Sequence, residues 1–159
     1  MFQAFRNFIA ELGDGGKDPN RYDESDYRLA AAALLVHTAA IDGGISDVER
    51  ARLHGVIKQR FNLDDASADE LIAKATVADE NAVDLYRFTS KLNRALDHQA
   101  RARLVEMMWQ VVYADGTVTE FEDNLVWRAA DLLSVSREER IALRARVAAS
   151  SVAGTQGKI

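Results

Sequence analysis

The strongest constraint on this chain is a string that occurs twice. "AIDGGISDVE" at Ala40–Glu49 returns as "YADGTVTEFE" at Tyr113–Glu122, 73 residues further on. Asp42 pairs with Asp115, Gly43 with Gly116, Ile45 with Val118, Ser46 with Thr119, Asp47 with Glu120 and Glu49 with Glu122. Beyond the corners, Leu63 aligns with Val135 after one deletion, each just ahead of a new capped helix. The spacing predicts two similar halves related by a pseudo-two-fold axis, because a solenoid needs at least three units to stack a stable core.

Everything around the two corners reads as helix. Glu24 to Ile41 is apolar over most of its surface, which suits the middle of a bundle. Val48, Leu53, Val56, Ile57 and Phe61 mark a helix over 47–60, and "NLDDASADELIAKATVA" restarts a shorter one with acids at its N-terminal end. Leu85, Phe88, Leu92 and Leu96 form the stripe of a helix over 84–96. Asp97 caps the next helix, which runs to Ala114 and carries Arg103, Glu106 and Gln110 on a narrow polar strip. A helix with Phe121, Leu125, Ala129 and Leu132 follows, and then a last one capped by Ser136. With a single proline and apolar residues that are mostly Ala, Leu and Val, the expectation is an all-α bundle of seven to eight helices.

At 159 residues the chain fits one domain with a real core. Residues 1–20 read as an amphipathic arm and flexible linker, 21–149 as the helical domain, and 150–159 as a flexible tail. Phe2, Phe5, Ile9 and Leu12 share one face of the arm, which packs on the core or pairs two copies into a homodimer. Its polar side lacks the strongly basic character of an interfacial membrane helix. The opening lacks the features of a signal peptide, and the longest apolar run, Leu29–Val36, falls far short of the roughly 20 residues a bilayer span needs. A soluble, cytoplasmic protein is expected. The absence of cysteine excludes disulfides and sulfur-ligated zinc, and a net charge of -5 argues against nucleic acid as a partner.

The Asp-Gly corner matches the second half of a calcium loop, with Asp42 or Asp115 at its fifth place and Glu49 or Glu122 at its twelfth. The first half fails, because Thr38, Ala40, Val111 and Tyr113 stand where carboxylates belong. A hard cation wants about six to eight oxygens, so only weak calcium or magnesium binding at Asp42, Glu49, Asp115 and Glu122 is on offer, and no other cofactor. The same letters serve a plain corner: glycine ends one helix, Ser46 or Thr119 caps the next, and the glutamate three residues later closes a capping box. Asp42 and Asp115 are the exception. An acid at a helix C-terminus opposes the dipole and asks for a cationic neighbour. Asp42, Asp47, Glu49, Glu106, Asp115, Glu120 and Glu122 together make a candidate acidic patch for a protein partner. His37 with Asp42 is the weakest alternative, an enzyme; no phosphate loop, nucleophile elbow or metalloprotease pair is present, and no catalytic residue is assigned.

Paired "ADG-x-[IV]-[ST]-x-x-E" corners behind small-residue-rich apolar helices resemble the tellurite-resistance TerB family and, more distantly, the N-terminal domain of DjlA-type membrane co-chaperones. The likeness covers roughly 27–147 and is clearest in "RLVEMMWQVVYADGTVTEFEDNLVWRAADLLSVSREE". In the first copy Ile41 replaces the usual alanine and Gly44 follows the motif glycine. The resemblance implies an all-helical fold of about seven helices and a non-enzymatic stress-response module. It also implies partners that include membrane-associated proteins, peripheral to the inner membrane, and a suggestion of metal binding. Carried over by position, it singles out Asp42, Glu49, Asp115 and Glu122, then Asp47, Glu106 and Glu120.

Overall fold

The first helix sits at the centre because its sequence offers almost nothing to water. In a computed structural model, which describes residues 26–41, 43–82 and 84–156, α1 (Tyr27–Ala40) is buried along nearly its whole length. Four successive alanines, Ala30 to Ala33, let neighbouring helices approach closely, and α1 touches each of the next five helices. Asp26 caps it, accepting the Arg28 amide at 2.9 Å while holding the Arg28 guanidinium. Burial pushes the Tyr27 hydroxyl well above its ordinary range and keeps it neutral.

Around α1 lie α2 (Asp47–Arg60), α3 (Asp65–Glu80), α4 (Tyr86–Ala95), α5 (His98–Val112), α6 (Glu120–Leu132) and α7 (Arg137–Gln156). The described residues contain these seven α-helices, one 3-10 turn at Tyr113–Asp115 and no strand, so the fold is an all-α bundle. Asp64 and Asp97 cap α3 and α5 through the amides of Ser67 and Ala100, and Ser136 caps α7 through the amide of Glu139. At the far ends, α5 and α7 are clasped by His98 and Glu139 at 2.8 Å. The hydrogen bond from His98 holds the Glu139 carboxyl below its ordinary range, and the Ser136 cap adds to the effect.

The two halves repeat each other at the level of individual hydrogen bonds. Gly43 donates to the Ala40 carbonyl and Gly116 to that of Tyr113, both at 3.0 Å. After α2, Asn62 takes a φ of 54° and Leu63 donates back to Lys58; after α6, Ser134 takes 60° and Val135 donates back to Ala130. Both are Schellman ends, and they fall where the alignment of Leu63 with Val135 puts them. α1 packs on α5, while α2 touches α5 and α6 touches α1, the reciprocal exchange a two-fold relation produces. α4 stands between the halves, tied to the end of α6 by Asn93, whose amide donates to the Leu132 carbonyl at 2.8 Å.

Several sequence expectations shift. α5 ends at Val112, and its last turn tightens into the 3-10 turn because Gly116, at φ 79°, reverses the chain just beyond. α4 begins at Tyr86 rather than Asp84, without a side-chain cap. α7 continues past Ser150, where composition suggested the tail begins. The expected start of α1 at Glu24 and the arm at Phe2–Leu12 lie outside the described residues.

The apolar stripes of α2 and α6 need correction. Val48 and Phe121, expected on the buried faces, are 55% and 70% exposed, while the neighbouring Glu49 and Glu122 are 9% and 5% exposed. In α6 the buried face runs through Glu122, Leu125, Val126, Ala129 and Ala130. With successive residues turned about 100° on a helix, that face is rotated well away from Phe121. Hydropathy cannot foresee the exchange, because it ranks a glutamate as surface and a phenylalanine as core.

Candidate functional site

Both corners are assembled by backbone demand. Gly43, at φ 105°, and Gly116 occupy left-handed conformations, and a Cβ at either would meet open space, so the requirement for glycine is conformational. At the first corner the Ser46 amide donates to Glu49 Oε1 at 3.2 Å and the Glu49 amide to Ser46 Oγ at 3.1 Å. At the second, the Thr119 amide donates to Glu122 Oε1 at 2.9 Å and the Glu122 amide to Thr119 Oγ1 at 3.2 Å. Two capping boxes in equivalent places explain why carboxylates are buried there. Asp47 and Glu120 remain exposed at the first positions of α2 and α6, where the dipole favours them. Asp42 and the side chain of Asp115 lie outside the described residues.

Glu106 is held by two cations. It binds Arg60 at the end of α2 and Arg146 on α7. At ~1.5 Å per residue, Arg60 lies roughly 20 Å along α2 from the corner that holds Asp47, which sets Glu106 apart from the first corner, while along α5 it stands about 10 Å before the second. Its role is to tie α2, α5 and α7 together. Near the second corner Arg144 donates to the Tyr113 hydroxyl at 3.0 Å, bridges to Asp123 at 2.7 Å and lies 5.0 Å from the centre of the Trp109 ring. Trp109 is core, whereas Trp127 is surface, with Arg140 over its ring.

Next to the first corner, a cleft of about 650 Å³ opens between the end of α1, the α3–α4 connection and α6. His37 lines it, one third exposed, with Nδ1 2.8 Å from Asp79 Oδ1. Tyr86 and Phe121, both exposed, stand at its edge with Asn124 and Arg128. Among the described residues that line the cleft there is no serine, threonine, cysteine or lysine. Among the described residues no three His, Asp or Glu side chains are grouped to hold a metal ion, and no helix is long and apolar enough to cross a membrane.

Residues 28–145, from the first turn of α1 into α7 and including both corners, match the family model for "Tellurite resistance protein TerB". The chain belongs to the TerB family. No curated protein and no solved structure matches it. The matched region contains both corners and every residue named at the cleft, and leaves Arg146 and residues 1–27 outside.

Sequence reasoning found the caps of the TerB corners and missed their surroundings. Asp79 is 42 positions from His37 and Arg146 is 40 from Glu106, and no local pattern announces such pairings. Val48 and Phe121 were findable: a capping box fixes its glutamate beside the cap residue, which leaves the preceding apolar residue on the adjoining face.

Proposed function

We propose that this TerB-family chain is a non-enzymatic, cytoplasmic interaction module. Its partner is a protein that offers apolar and basic groups to the starts of α2 and α6. The observation that carries the reading is the matched exposure of Val48 and Phe121 at equivalent places in the two halves, each preceded by an exposed acid, Asp47 or Glu120. An aromatic left in water beside an open cleft is the kind of anchor on which interfaces concentrate their binding energy. Asp42 and Asp115 complete the proposed acidic surface. A role in stress or tellurite resistance, with partners that include proteins at the inner membrane, follows from the family and is part of the proposal.

The test is affinity capture from the source cells with the wild-type chain and with Phe121→Ala/Val48→Ala. Both side chains are exposed, so the double variant should keep its stability within about 0.5 kcal/mol per site. Loss of a specific wild-type partner supports the reading; equal recovery by both chains removes it. Weak calcium or magnesium binding is the competing proposal, disfavoured because Glu49 and Glu122 already accept backbone amides. A titration followed by amide NMR decides it: metal should move Gly43 and Gly116 first, and flat spectra to millimolar ion dispose of it.

A further inference from the structure

A second groove, of about 630 Å³, opens between the first turn of α1, the second half of α3, and α4. Its floor is apolar, with Leu29, Ala30, Val77 and Phe88, and Lys74 and Lys91 stand on its rim. Val77, in the last turn of α3, is 55% exposed although it lines an apolar groove.

The chain itself carries a segment of matching chemistry. Phe2, Phe5, Ile9 and Leu12 recur at spacings that put them on one face of a helix over 2–12. A helix that short is marginal in water by itself and needs a surface to hold it. The connection over 13–25 contains three glycines, and a chain of this length has a root-mean-square reach of roughly 20 Å. It delivers the segment to Asp26, three residues before Leu29 on the groove floor. Such a tether gives an effective concentration of about a millimolar, so even a weak helix-in-groove contact is occupied. Glu11, near the C-terminal end of the segment, and Asp14, at the start of the connection, complement the basic rim.

We propose that residues 2–12 dock in cis as an amphipathic helix in this groove, with their apolar face on Leu29, Val77 and Phe88. Phe88 also lines the cleft beside the first corner, so the docking groove adjoins the proposed partner surface.

The chain has no cysteine, so any introduced pair of thiols is unique. Full-length chains carrying Phe5→Cys/Val77→Cys or Ile9→Cys/Val77→Cys are oxidised at micromolar concentration beside an Ile9→Cys/Ile141→Cys control. Ile141 lies exposed on α7, away from the groove lining. One of the groove pairs should close an intramolecular disulfide roughly ten-fold faster than the control, as the local concentration of a docked arm requires. Equal rates in all three chains overturn the proposal, and disulfide-linked dimers overturn docking in cis in favour of exchange between copies. In parallel, Phe5→Asp in the full chain should shift the amides of Ala30 and Val77, and unchanged amides there also overturn it.

Discussion

Glu49 and Glu122 are acids whose first task is to satisfy a backbone amide at the start of a helix, and their burial follows from it. The second is the deeper. Removing its carboxylate leaves the Thr119 amide without that acceptor at a crowded corner. Glu122→Ala should therefore cost about 1–2 kcal/mol in urea unfolding, while Glu122→Gln, which retains an acceptor oxygen, should cost less than about 0.5 kcal/mol. A loss of similar size in both variants would mean that the charge, and not the cap, is what the corner needs. The adjoining residues show the opposite economy, since Val48 and Phe121 lie in water where simple hydropathy would bury them.

Helix ends decide the elements. α2 and α6 both finish in Schellman turns, yet neither uses glycine for the left-handed residue: Asn62 and Ser134 take it instead. Asparagine tolerates that conformation, whereas serine is strained there. Ser134→Gly should raise stability by about 0.5–1 kcal/mol, relief of strain outweighing the greater freedom of glycine in the unfolded chain. The gain should appear as a higher urea midpoint at unchanged slope, and Asn62→Gly should give a smaller change. A lower midpoint for Ser134→Gly would show that the serine side chain holds the turn by contacts of its own.

At the scale of the whole molecule, three helices converge on Glu106. Arg60 and Glu106 are 13% and 15% exposed, whereas Arg146 is 67% exposed. The energy of the cluster should lie in the Arg60 pair, because solvent screens the other. Glu106→Ala should cost about 2 kcal/mol and Arg146→Ala less than about 0.5 kcal/mol, both read by denaturant unfolding. Equal costs would place the stabilisation on α7 instead of between α2 and α5. The same comparison separates architecture from recognition, since Glu106 on α5 is engaged by Arg60 and Arg146 and its loss should leave capture through Val48 and Phe121 intact.

The sequence by itself determined the helices, the duplication and the TerB kinship. Each rests on short-range rules: caps at Ser46, Thr119, Asp97 and Ser136 act within a turn or so, and a repeat in the letters becomes a repeat in hydrogen bonds. Only the tertiary structure decided where Glu106 goes, and that His37 meets Asp79 at the wall of a cleft. Those outcomes depend on how helices rotate against one another. That rotation minimises exposed apolar area over the whole bundle while satisfying buried caps, a balance no single segment encodes.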